Sequence, residues 1–110
     1  MKQKPNKINI LGREYTIKYF DKPSEVDRNG RKSVWSQIDY WERQIRVYDN
    51  KTTLQDVWGT IIHETLHSLI EELKLNKHCI ENGKEEELVG LLAMGLTDVL
   101  FRNDIIKLEK

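Results

Sequence analysis

The sequence predicts an α+β fold: a small antiparallel β-sheet built from two hairpins, followed by two packed α-helices. Three observations carry this expectation. Apolar and polar residues alternate through the first half of the chain, around a glycine-containing turn. In the second half apolar residues recur at helical spacing instead. The order hairpin, hairpin, helix, helix then places the helices on one face of the sheet. At 110 residues the chain is expected to be a single domain over 1–110, β-rich over 1–50, with helices over 52–75 and 84–102.

The elements follow in order. "KINILGREYTIKYF" carries Ile8 and Ile10, a turn at Leu11-Gly12-Arg13, then Tyr15, Ile17 and Tyr19 in period-two alternation, which reads as a hairpin. "DKPSEVDRNGRKS", with Pro23 and Asn29-Gly30 as breakers, reads as an exposed loop. A second strand pair is expected in "VWSQIDY" and "IRVYDN", joined by a short turn without glycine. A helix then starts near Thr52 or Thr53, either hydroxyl serving as cap, and runs to about Leu73, with Asn76 as its stop. The last helix runs from about Lys84 to Arg102, where Asn82 and Glu85 have the spacing of a capping box. Its core stripe is expected at Val89, Leu92 and Leu96. Trp58 lies on the apolar stripe of the first helix and is assigned to the core.

Composition narrows the function classes. Hydrophobic residues make up 38% and charged residues 33%, a soluble, globular balance. No apolar run approaches the roughly 20 residues of a membrane span. The basic N-terminus leads into "LGREYTIKYF" rather than an apolar signal region, so a cytoplasmic location is expected. Cys79 is the only cysteine, which excludes an intramolecular disulfide and a cysteine-rich zinc finger. The net charge is zero, but residues 1–32 carry 9 basic and 4 acidic side chains and residues 81–110 carry 4 basic and 7 acidic. No basic stripe is interleaved with aromatics, so direct nucleic-acid binding is not expected.

The functional signal lies in "TIIHETLHSLIEEL", residues 60–73. Helix residues four apart lie one above the other, so His63 and His67 can aim two imidazoles at one metal ion. At about 100° per residue both histidines lie far round from the apolar stripe centred near Leu69 and Trp58. Glu64, one residue on, stands beside such a metal, where a general base takes a proton from metal-bound water. A third ligand must come from elsewhere. His78 lies beyond the helix end, and Leu73 stands where an HExxHxxGxxH pattern needs histidine. The last helix offers Glu85, Glu86 and Glu87. Helical phase favours Glu86, on one face with the small residues Gly90, Ala93 and Thr97 that would allow close approach to the first helix. Glu87 is the alternative, and Glu85 points toward the core stripe and the cap.

These residues resemble the gluzincin-type zinc metallopeptidases, most closely the small ImmA/IrrE-like proteins of phages and mobile elements. "HETLH" matches the first motif, and "EELVGLLA" is similar to the family's E-x-x-A-N-x-F-A ligand helix, with Val89, Gly90 and Leu92 where the family has Ala, Asn and Phe. The resemblance covers about residues 52–102. It implies a zincin-like minimal metallopeptidase domain with His63, His67 and Glu86 on Zn²⁺ and Glu64 as general base. It further implies a protein or peptide substrate, such as a transcriptional repressor on a separate chain.

Two imidazoles and one carboxylate leave a fourth position for water, whose pKa zinc lowers from about 15.7 toward 7. Tyr40, Tyr48 and Trp35 precede the helix and are candidate donors to an oxyanion. "IRVYDN" is a candidate edge strand for binding an extended peptide. The competing reading is a non-catalytic regulatory or binding module whose metal site is degenerate or structural, the latter with His78 as fourth ligand. In a third, no metal binds.

Overall fold

The computed structural model describes residues 4–27 and 35–106. Strand β1 (Lys7–Ile10) turns into β2 (Arg13–Phe20) through Leu11 and Gly12, whose φ angles are 52° and 85°. Two consecutive positive φ values match the right-handed twist of a two-residue hairpin. The Asn9 side-chain oxygen accepts the Gly12 N–H at 2.8 Å and fixes the turn.

The segment expected as an exposed loop is anchored instead. It contains a single helical turn, α1 (Pro23–Val26), and Val26 is fully buried. Arg46 holds it by donating from Nε to the Val26 carbonyl at 2.6 Å and from Nη2 to the Glu25 carbonyl at 2.9 Å. Asn29-Gly30, the other breaker, lies outside the described residues, as do Val34 and the end of the C-terminal tail.

The second hairpin pairs β3 (Ser36–Asp39) with β4 (Gln44–Tyr48). Asp39 Oδ1 accepts the N–H groups of Trp41 and Glu42 at 3.0 and 3.1 Å, and Arg43 takes φ 53°, the left-handed position usually given to glycine.

The sheet is mixed, and this corrects the expected all-antiparallel arrangement. Its order is β1-β2-β4-β3, each hairpin being antiparallel while β2 and β4 run parallel at the centre. A parallel pair needs a crossover of a dozen or more residues, and the chain between Phe20 and Gln44 supplies one. The pairing sets Ile17 beside Ile45 and Tyr19 beside Val47, so apolar side chains of both central strands face the same layer. With Ile10, Tyr15, Val57 and Ile61 they form the core.

Helix α2 (Leu54–Leu73) covers that face. Thr53 caps it: its hydroxyl accepts the Asp56 N–H at 3.0 Å while the Asp56 carboxylate accepts the Thr53 N–H at 3.2 Å. Lys74, in the left-handed region, ends it before a short turn, α3 (Leu75–His78), that contains Asn76. Trp58 packs part-buried against the core, as expected.

Helix α4 (Glu85–Arg102) packs on α2 rather than on the sheet, so the layers are sheet, α2, α4. This changes its phase. Val89, Ala93 and Thr97 are buried, whereas Leu92 and Leu96, expected in the core, are exposed because α4 has only α2 to pack against. The capping box of Asn82 and Glu85 is not formed either. Lys84 is the N-cap, which leaves Asn82 too far back along the chain for its side chain to reach the first free N–H groups.

Candidate metal centre

Helix α2 turns His63 and His67 to the side that faces α4, with their rings 5.0 Å apart and steeply inclined. The N-terminal turn of α4 brings Glu86 across to them. Its two carboxylate oxygens lie 3.2 Å from His63 Nε2 and 2.8 Å from His67 Nε2. One donor atom from each of the three residues can be chosen with all lying within 4.8 Å of one another. Ligands about 2.0–2.1 Å from a tetrahedral zinc stand roughly 3.3 Å apart, so small displacements would admit the ion. His78 is exposed on α3 and Glu87 pairs with Lys84 at 3.8 Å; neither belongs to the group.

Glu85 takes a different place from the one expected. Its carboxylate lies 2.7 Å from His67 Nδ1, on the opposite side of the ring from Glu86. A carboxylate at the second nitrogen is the usual device for orienting a metal-binding histidine and fixing its tautomer. Helical phase alone points Glu85 at Leu92 and Leu96, which α4 leaves exposed; packing on α2 turns it to His67 instead.

Glu64 is buried between α2 and the sheet, only 6% exposed. The Ser36 hydroxyl donates to its Oε2. The register explains the meeting. Ser36 pairs with Val47 and Ile38 with Ile45, so Ser36 occupies an inward position of β3, on the helix-facing side. Its sequence signal was a hydroxyl in phase with an inward isoleucine, and only the placement of α2 gives that signal a meaning.

The electrostatics are those of a group short of positive charge. Burial raises the Glu64 pKa; the Ser36 hydrogen bond and the two histidines oppose this without cancelling it. Burial alone would lower the His67 pKa, but the Glu85 hydrogen bond and the fields of Glu64 and Glu86 raise it above the ordinary imidazole value. Three carboxylates thus surround two imidazoles, a donor set of nitrogen and oxygen suited to Zn²⁺ or a similar divalent ion.

The group opens on a cleft of about 790 Å³ between β3, α2 and α4. The wall on the sheet side is β3, with Trp35 at its rim. The expected edge strand requires correction: β4 is enclosed by β2 and β3, and β3 is the edge. The close approach of the helices falls at Gly59, where a Cβ would meet Thr97 Oγ1 at 3.5 Å, while a Cβ on Gly90 would meet nothing within 4 Å and that residue lines the cleft.

Neither candidate tyrosine lines the cleft. Tyr48 packs its ring edge-on to Trp35 at 4.9 Å, and its hydroxyl faces the Asn50 carbonyl at 3.4 Å. Tyr40, just beyond β3, has a hydroxyl pKa raised beyond the ordinary range by burial and then by Glu71, Glu64 and Glu85, so it remains a proton donor. Compared with known proteins, the chain has no significant match to a protein family, a curated protein or a solved structure.

Proposed function

We propose that the protein is a zinc-dependent peptide hydrolase of the zincin kind, similar to the small ImmA/IrrE-like metallopeptidases. His63, His67 and Glu86 would hold the metal. The observation that carries this reading is the convergence of two Nε2 atoms from α2 and one carboxylate from α4 at the floor of an open cleft, with a buried carboxylate beside them. Three protein ligands, with no fourth among the described residues, favour a reactive site over a structural one.

Zinc bound there would acidify a coordinated water toward pKa 7 and polarise the scissile carbonyl. The protein's own residues do the rest. Ser36 occupies Oε2 of Glu64, leaving Oε1 to take the water proton and later deliver it to the leaving amine. The raised pKa of Glu64 suits a group that must both accept and return a proton. Glu85 holds His67 in the tautomer that leaves Nε2 for the metal. The peptide substrate would lie along β3 as an added strand, since β3 is an outer strand of the sheet among the described residues and forms the wall of the cleft.

The test is metal content by mass spectrometry after zinc loading and removal of excess, with peptide hydrolysis measured in parallel. Stoichiometric zinc is expected in the wild type and loss in His67→Ala and Glu86→Ala. Glu64→Gln is expected to retain zinc and lose turnover. A wild type without metal overturns the proposal; zinc retained in Glu86→Ala moves the third ligand away from Glu86, to Glu87 or Glu85 on the same helix or to His78.

A further inference from the structure

We propose that the cleft selects a lysine or arginine beside the scissile bond, with the Asp56 carboxylate as the group that recognises the cation. The inference rests on the peptide-hydrolase reading of the metal site and names the side chain which that site would prefer.

The cleft extends well past the metal group. Asp56 and His63 both line it and stand seven residues apart on α2, two turns along one face of the helix. The helical rise separates them by roughly 10 Å, with Asp56 toward the start of α2. On the helix side, the section between them offers no free polar side chain. The Thr60 hydroxyl donates to the Asp56 carbonyl at 2.9 Å and the Thr97 hydroxyl to the Ala93 carbonyl at 2.6 Å, so both are spent on helix backbone. Gly59, Gly90, Ala93 and Met94 supply the rest of that lining.

A carboxylate closes the far end. Asp56 makes no ion pair among the described residues, and the Thr53 N–H engages its Oδ2 alone, at 3.2 Å. No lysine or arginine among the described residues lines the cleft. Glu64 and Glu86 are committed at the metal group, so Asp56 is the cleft carboxylate left for substrate.

An apolar passage that ends in an unpaired carboxylate has the order of a basic side chain, hydrocarbon along its stem and charged at its tip. The lengths agree. A residue whose carbonyl rests on the metal has its Cα about 4 Å from the ion, and an extended lysine or arginine reaches roughly 6–7 Å further. A shorter side chain stops within the apolar section, and an acidic one meets like charge.

Trp35 adds a second cation-binding group from the sheet side. Its carbonyl accepts the Tyr48 N–H at 2.8 Å, at the end of β4 that leads into α2. This sets Trp35 at the rim of the cleft toward the start of α2, and its indole is 59% exposed. An indole face there would attract the same cation.

A random dodecapeptide library tests this by binding and by cleavage. Immobilised, zinc-loaded Glu64→Gln retains peptides that are sequenced by mass spectrometry, and zinc-loaded wild type cuts the same library so that the new termini can be read. Lysine and arginine are expected to be enriched about 3- to 10-fold in the retained peptides and at one residue flanking the cut. Asp56→Asn keeps an oxygen for the Thr53 N–H and removes the charge; introduced into either protein, it is expected to abolish the enrichment. Glu81→Gln, an equal change of charge outside the cleft, is expected to leave it. Peptides cut without basic enrichment overturn this inference while the hydrolase reading stands. Enrichment that survives Asp56→Asn overturns the role of Asp56. Enrichment in the retained peptides without cutting supports recognition by the cleft and overturns the hydrolase reading, and a library neither retained nor cut overturns both.

Discussion

Glu85 shows at the scale of one side chain what decides the affinity of the proposed metal site. It touches no candidate donor atom of the metal group but engages the far nitrogen of His67. Replacing it with Gln keeps the shape and removes the charge, and zinc affinity is expected to fall about 10- to 100-fold, as measured by competition with a chromophoric chelator. The same residue governs a pH effect in the metal-free protein. The folded-state pKa of His67 lies above its ordinary value of 6.5 because the opposing push of burial is outweighed by the Glu85 hydrogen bond and by Glu64 and Glu86. A raised pKa stabilises the fold fully below pH 6.5, and that contribution is lost as pH rises through the folded value. Thermal melts of chelator-treated protein are therefore expected to decline as pH rises from about 6.5. Glu85→Gln should flatten that decline. His63, Glu64 and His67 were legible in the sequence because a spacing of four on a helix is a local fact. Ser36 and Glu85 were not, because their roles depend on which elements face each other.

Among the elements, α2 follows most closely from local rules. Thr52 and Thr53 both offer a capping hydroxyl at its start; Thr53 makes the cap, and Thr52 bonds Asp49 at 2.6 Å instead. Thr53→Ala is expected to cost about 1 kcal/mol in denaturant unfolding, since one hydroxyl satisfies an otherwise free N–H. The two hairpins were also legible, each from its own alternation and turn. How they join was not: Ile17 beside Ile45 is a contact between distant segments, and alternation is the same whether the strands run parallel or antiparallel. The phase of α4 failed for a related reason. Val89, Leu92 and Leu96 form a plausible stripe on a wheel, but α2 selects Val89, Ala93 and Thr97, whose small side chains let Glu86 reach the histidines. Gly90 lies on that helix with open space around it. Gly90→Ala is accordingly expected to raise stability by about 1 kcal/mol, from backbone entropy alone, with zinc stoichiometry unchanged.

In the whole molecule the proposed ligands come from two layers. His63 and His67 belong to the helix that rests on the sheet, and Glu86 belongs to the helix beyond it. The buried residues of α4 are Val89, Ala93 and Thr97, a modest apolar contact for an element of 18 residues. A metal held across the two helices would tie the outer layer to the inner one, so its binding energy becomes folding energy. At free zinc a hundredfold above the dissociation constant, linkage gives about 2.7 kcal/mol. For a chain of this size that corresponds to a rise in Tm of roughly 10–20 °C. The variants separate this from nonspecific stabilisation. Glu86 is 76% exposed in its side chain, so Glu86→Ala is expected to melt near the wild-type temperature without metal and to lose the rise with zinc. Glu64→Gln, which leaves the three ligands in place, is expected to keep the rise. Differential scanning calorimetry of the three proteins, each with zinc and with chelator, reads all of this directly. A zinc-dependent rise that survives Glu86→Ala would mean that Glu86 is not the third ligand, and the same measurement on Glu85→Ala and Glu87→Ala then shows whether another carboxylate of α4 ties the outer layer to the inner one or the metal is held by α2 without it.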